Sequence, residues 1–236
     1  VPGSGKTTVL VTRLGYMVLC CDVPPAQILT MTYTVAATHE MRGRFAARFG
    51  AELAGQMTFR TINGLSAVIL QYYSRVYGRR QPELLTNEGD ISRMLTDIWQ
   101  QVNREFPTES TLKELRTAIT YIKNMALADE EIEGLETDLA NLPELYRRYQ
   151  AALKRAGQMD YDDQMVFALQ ILRAAPPVLA YFQQRYKYFC VDESQDTSKI
   201  QHEIIRLLAG RSLNLFMVGD EDQSIYGFRA AYPQAL

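Results

Sequence analysis

Cysteine is scarce: there are three, and Cys20 and Cys21 are adjacent, so no disulfide framework and no CxxC zinc pattern can be drawn. That scarcity fits a reducing, cytoplasmic setting. Histidine is scarcer still, and His39 and His202 fall on expected helices with no partner at metal-ligand spacing, which suits polar roles at or near the surface. No apolar run approaches the ~20 residues that a bilayer-spanning helix needs. The longest candidate, Val9 to Cys21, is broken by Arg13, so no membrane partner is expected. An excess of positive charge is also missing, because 25 Lys+Arg face 27 Asp+Glu for a net charge of -2. A histone-like protein that attracts nucleic acid by global charge is thereby excluded. The chain begins with Val1 rather than Met and shows no signal-peptide pattern, so a segment upstream is expected. What remains is globular in composition, with 47% hydrophobic and 22% charged residues over 236 positions, enough for one large domain or two small ones.

Three zones differ in period and punctuation, and the outer two resemble each other. From Pro2 to Tyr73 a glycine-rich turn leads to expected helices over Thr7 to Leu19, Ala36 to Phe49 and Leu65 to Tyr73. Between them lie expected strands at Ile28 to Thr32 and Met57 to Phe59. This alternation predicts an α/β fold with a parallel sheet. The middle zone, about Ser74 to Arg185, shows amphipathic helical periods such as Ile91, Met94, Leu95, Ile98 and Trp99, with no convincing strand. Breaks are expected near Pro107, Pro143 and Pro176-Pro177. Strands return at Tyr188 to Val191 and Leu215 to Val218, separated by a helix over Ile200 to Leu208.

Three segments carry chemistry. Pro2-Gly3-Ser4-Gly5-Lys6-Thr7-Thr8 is the back half of the phosphate-binding loop GxxxxGK[ST], whose leading glycine would fall just before Val1. Backbone N–H groups at a helix N-terminus surround phosphates in such a loop; Lys6 would neutralise β/γ oxygens and the Thr7 hydroxyl would ligate Mg²⁺. A Gly-Ser linker that happens to contain lysine is the blander reading. In Tyr188 to Thr197, YFCVDESQDT, an apolar run ends in Asp192 and Glu193, at the strand end where parallel-sheet ligands bind. Asp192 would hold Mg²⁺ and Glu193 would take a proton from the attacking water; alternatively, Asp192, Glu193 and Ser194 cap the next helix. In Phe216 to Ala231, Gln223 can hydrogen-bond a γ-phosphate or attacking water, and Tyr226, Phe228 and Arg229 suit an unpaired base, unless these aromatics simply pack in the core. Asp160, Asp162 and Asp163 are read as helix-capping acids, and Arg147, Arg148, Lys154 and Arg155 as an exposed helix face.

In this order the segments resemble the UvrD/Rep family of superfamily-one DNA helicases. Thr30 to Met41, TMTYTVAATHEM, is similar to that family's TFTNKAAxEM segment, which touches single-stranded DNA, and Thr58 to Leu65, TFRTINGL, to its TFHS segment. Tyr121 to Asn124, YIKN, and Met159 to Met165, MDYDDQM, resemble short motifs of its helical insertion. The resemblance implies a RecA-like ATP-binding lobe formed by residues 1–75 and 186–236, interrupted by a mostly helical subdomain at 76–185. It implies an ATP-driven 3′ to 5′ motor on single-stranded DNA and at junctions with duplex, serving DNA repair or recombination, with ATP and Mg²⁺ as cofactors. By resemblance, Pro2 to Thr8, Asp192, Glu193 and Gln223 carry the nucleotide chemistry, while Thr32, Tyr33, Thr58, Thr61, Tyr226, Phe228 and Arg229 carry DNA contacts. Departures are Val35 and Ala36 for the usual Asn and Lys, Thr8 for an adenine-stacking arginine, Phe228 for Trp, Ala230 for Gly, and Arg60 for His, which returns a charge to the DNA surface. A second RecA-like lobe is the implied partner. Its arginines contribute on the order of 10³ to 10⁵ in rate, so the isolated chain is expected to be inactive. The alternatives are a helicase-like lobe of a recombination helicase-nuclease and a non-helicase P-loop NTPase.

Overall fold

Ile28-Leu29-Thr30-Met31-Thr32 follows the Pro24-Pro25 turn and is rich in apolar and β-branched residues, the pattern of a strand buried on both faces. In the computed structural model, which describes residues 5–212 and 214–219, all five of these residues are buried. They form strand β1 (Ile28–Thr32), preceded by helix α1 (Lys6–Leu19) and followed by α2 (Val35–Phe49), α3 (Ala51–Gln56), β2 (Thr58–Thr61) and α4 (Ile62–Tyr77). The chain then runs through β3 (Glu83–Leu84), α5 (Glu88–Asn103), α6 (Glu109–Asn124), α7 (Asp129–Glu133), α8 (Leu142–Ala156) and β4 (Gln158–Met159). Helices α9 (Tyr161–Ala174) and α10 (Pro176–Arg185) lead to β5 (Tyr188–Val191), α11 (Lys199–Ala209) and β6 (Leu215–Met217).

The main sheet has the order β2-β1-β5-β6 and every pairing in it is parallel, as the βα alternation predicts. Leu29 sits opposite Thr58 on one side and Phe189 on the other, so β1 is central. Alternate side chains then serve two cores. Ile28, Phe59 and Cys190 pack with Leu10, Leu14, Met41 and Phe45 under α1, α2 and α3. Leu29, Met31, Phe189 and Val191 pack with Leu65, Ile69, Leu169, Phe182 and Ile204 under α4, α9, α10 and α11. A third cluster, including Leu95, Trp99, Leu115, Ile119, Leu145 and Leu153, holds α5, α6 and α8 together. Helices α9 and α10 belong to the sheet's core although they lie within the helical middle zone. Their axes meet at 103°, and among the described residues no single helix is long and apolar enough to cross a membrane.

Several boundaries differ from the sequence expectations for local reasons. The fourth helix starts at Ile62 rather than Leu65 because the Thr61 hydroxyl accepts a hydrogen bond from Gly64 N at 3.0 Å, a cap that periodicity does not register. The second strand is shifted to Thr58–Thr61, since Met57 ends the unexpected α3. Two-residue strands β3 and β4 pair in parallel within a zone read as strand-free; two residues are too few for a period to appear. Pro143 lies in the first turn of α8, where its missing N–H costs nothing, so it helps to start this helix.

Phe45 is fully buried, its ring centroid 5.0 Å from that of Phe49 and 6.0 Å from that of Phe59. Phe45→Ala is expected to destabilise the chain by about 3–5 kcal/mol. The check is a lower urea midpoint at unchanged slope.

Candidate functional site

In a parallel sheet all strands end on the same edge, so loops far apart in sequence converge there. Here that edge receives Thr32-Tyr33 from β1, Thr61 from β2 and Asp192-Glu193 from β5. Helix α1 presents its first turn to the same region. Its N-cap, Gly5, has φ 80° and ψ 4°, a left-handed conformation that glycine adopts freely, and among the described residues no side chain caps this end. The first N–H groups of a 14-residue helix are therefore available to an anion. Lys6 Nζ lies 3.9 Å from Glu193 Oε2, so the cation of the loop faces the acid of the strand end across the space where a phosphate would bind. Thr7 is half-buried beside it and Thr8 is exposed.

Asp192 is buried, and its N–H donates to Met31 O at 3.0 Å, which stitches it to the end of β1. One carboxylate oxygen accepts from Glu193 N at 3.1 Å. Burial pushes its pKa above the usual aspartate value and the neighbouring Glu193 charge pushes it further, against the smaller pull of the Glu193 N–H, Lys6 and Arg44. As an oxygen donor at the strand end, the Asp192 carboxylate is chemically suited to a divalent cation, and the Thr7 hydroxyl on the first turn of α1 would be a second oxygen of the same kind. Glu193 has φ 52°, an unusual conformation for a non-glycine residue, and its Oε2 accepts from Gln195 Nε2 at 2.5 Å. The strained backbone turns this side chain away from the line of β5 and toward Lys6.

These acids do not cap the next helix. Residues Ser194–Asp196 form one 3₁₀ turn without a side-chain cap, and α11 begins only at Lys199. Instead Ser194 N donates to Val218 O at 2.9 Å, which ties the turn after β5 to the exit of β6. A Cβ added at Gly219 would come within 2.2 Å of Ser194 Oγ and 3.1 Å of Gln195 N, so only glycine permits this approach.

A cavity of about 560 Å³ opens at the same edge. Thr32, Tyr33, Thr61, Asp192 and Glu193 line one side, and Asn124, Tyr161, Asp162 and Gln164 the other. Thr32 and Thr61 also serve the fold. The Thr32 hydroxyl lies 2.6 Å from Thr38 Oγ1, and the Thr61 hydroxyl caps α4. Thr58 sits at the opposite end of β2 and Arg60 points out from it, so neither is brought to the cavity. Pro2, Gly3, Ser4, Gln223, Tyr226, Phe228 and Arg229 lie outside the described residues. The cavity-lining residues to which the sequence reading assigned no site role are Asn63, within TFRTINGL, Thr120, just before YIKN, and Asn124, Tyr161, Asp162 and Gln164, within YIKN and MDYDDQM. Of the basic residues in α8, Arg147 pairs with Glu133 at 3.0 Å and Arg148 with Glu144 at 2.6 Å, as an exposed, self-compensated face.

Several known proteins are similar to this chain in sequence. ATP-dependent DNA helicase PcrA of Leuconostoc citreum is 34% identical over 235 residues, a match that covers 97% of this chain and 31% of that protein. The proteins of that name from Staphylococcus aureus (strain Mu50) and Staphylococcus epidermidis (strain RP62A) are 33% and 32% identical, again over 97% of this chain and 31% of theirs. The chain thus spans about a third of the length of these relatives. The sequence profile described as the UvrD/REP helicase N-terminal domain matches residues 1–236. A match over every position, carried by a parallel sheet whose carboxyl edge gathers these motifs, makes the chain a member of the UvrD/REP helicase N-terminal domain family.

Proposed function

We propose that this chain is the nucleotide-binding part of an ATP-driven motor that moves along single-stranded DNA and opens duplex at junctions. The observation that carries the reading is the 3.9 Å approach of Lys6 Nζ to Glu193 Oε2 at the N-terminus of α1. In this reading the α1 N–H groups, Lys6 and Thr7 hold the phosphates, with Pro2 to Gly5 and Thr8 completing the loop. Thr7 and Asp192 hold Mg²⁺, which when bound neutralises phosphate charge. Glu193 takes the proton of the attacking water, and Lys6 lies 3.9 Å from its carboxylate until a phosphate displaces it. Gln223 senses the γ-phosphate. Tyr33 offers a stacking face beside Thr32 and Thr61, with Tyr226, Phe228 and Arg229 as further contacts. The lobe is residues 1–75 and 186–236 and the insertion 76–185, with α9 and α10 packed on the lobe. A second RecA-like lobe elsewhere in the protein, a cytoplasmic setting that suits three free cysteines, and a task in DNA repair or recombination complete the proposal.

Three outcomes test it in the complete protein. Glu193→Gln is expected to lower DNA-stimulated ATP turnover by about 10²–10⁴ while nucleotide affinity is retained, and Lys6→Ala to lower both. Turnover by Glu193→Gln equal to wild type removes Glu193 as the base. For pH the sign follows from Asp192, which must be ionised to hold the cation and whose pKa is raised. Mg²⁺-dependent nucleotide binding should therefore fail on acidification above the ordinary aspartate range, and Glu193→Gln, by removing the like charge, should move that acid limb to lower pH. For DNA, log K against log[salt] should fall with a slope of roughly 0.7 per phosphate contacted; a flat response in a salt titration overturns the backbone-binding part.

A further inference from the structure

Lys123, at the end of α6, has a side chain only 1% exposed, a place where an ammonium group is costly unless it is fully compensated. It reaches Asp160 Oδ2 at 2.6 Å and Asp163 Oδ1 at 2.7 Å. Those two acids open α9 with reciprocal bonds, Asp163 N to Asp160 Oδ1 at 2.9 Å and Asp160 N to Asp163 Oδ2 at 3.0 Å. From α8, Tyr149 OH donates to Asp160 Oδ2 at 3.1 Å. The acid between them, Asp162, accepts from Thr120 Oγ1 at 3.0 Å and Asn124 Nδ2 at 2.9 Å, both on α6. Every carboxylate oxygen of the three aspartates thus has a partner, and one buried lysine joins α6 of the separate helical cluster to the first turn of a helix that belongs to the sheet's core, with Tyr149 joining α8 at the same acid.

That first turn is also a wall of the cavity at the strand ends. Tyr161 and Asp162 follow Asp160 directly, and with Asn124 they face Tyr33, Thr61 and Asp192 across the opening. The far wall is therefore built from two units with separate apolar cores, and the apolar packing of either unit does not specify their register. Directional bonds to a buried charge do, because a shift of α6 along α9 would strand Lys123 among carbonyls and leave Asp160 and Asp163 uncompensated.

We propose that Lys123 is a positioning residue for DNA engagement: its double ion pair locks α6 onto the start of α9, where Tyr149 of α8 also bonds, and so sets the width and chemistry of the groove that receives the strand. This rests on the DNA-motor reading above. Lys6 and Thr7 approach from α1, in the helix layer on the other face of the sheet, and Asp192 and Glu193, although they border the same cavity, are held by their own bonds to Met31 O and Gln195 Nε2, so the nucleotide site should not sense Lys123.

The test compares wild type, Lys123→Met and Lys123→Met/Asp163→Asn in the complete protein. The double variant removes one stranded charge while Asp160 still caps α9 and an amide oxygen at position 163 can still accept from Asp160 N, and so guards against simple misfolding. Binding of a fluorescein-labelled oligothymidylate is read by anisotropy, and binding of a fluorescent adenine nucleotide with Mg²⁺ is read separately. Expected is a loss of oligothymidylate affinity of about tenfold in both variants, the scale of changes transmitted through packed networks, with nucleotide affinity unchanged. Oligothymidylate affinity equal to wild type, or nucleotide and DNA affinities falling together in step with a lower melting temperature, overturns the proposal. Wild type that binds nucleotide but no oligothymidylate overturns the DNA reading itself and this proposal with it.

Discussion

The rest of the structure depends on the burial of β1 and β5 on both faces. A parallel strand covered on both sides has no polar face to offer, so its side chains alternate between two separate hydrophobic cores, and each core demands its own layer of helices. Ile28 and Cys190 commit α1, α2 and α3 to one layer, while Leu29, Met31, Phe189 and Val191 commit α4, α9, α10 and α11 to the other. The parallel pairing forces every connection to cross over, and every strand consequently delivers its following loop to one edge. The site is a product of that geometry.

At this edge the fold accumulates negative charge and strain. Asp192 is buried, Glu193 is adjacent and left-handed, and the exit of β6 passes so close to Ser194 that only a glycine fits at position 219. Lys6, from a different layer, faces Glu193 and offsets part of this charge. Such an arrangement is costly to keep and ready to change when a polyanion and a divalent cation arrive together. The physical logic agrees with membership of a helicase domain family, and the acids of Tyr188 to Thr197 are explained by it better than by helix capping.

The cluster of α5, α6 and α8 brings a different physics. Its apolar core is separate from the sheet's cores, so apolar burial alone leaves its register on α9 loosely defined. Polar groups supply what hydrophobic area does not, since a fully bonded buried ion cluster tolerates only one alignment. Lys123, Asp160 and Asp163 occupy that junction, next to the cavity.

Local chemistry carried much of this in the sequence. Short apolar runs located β1 and β5, and the spacing of Gly5, Lys6 and Thr7 before an amphipathic stretch marked the start of α1. Each is set by neighbours within a few residues, so each is legible from order alone. The two-residue strands β3 and β4, the Thr61 cap that starts α4 early, and the assignment of α9 and α10 to the sheet's core were not legible, because they depend on what another part of the chain presents. The same holds within the site. Asp192 and Glu193 stand out as adjacent acids after a strand, whereas Asn124 and Asp162 acquire a shared role only when α6 meets α9. The sequence by itself determined where the α1 start and the buried strands lie; the tertiary structure decided which side chains share the cavity, because long-range packing between separate cores has no period to read.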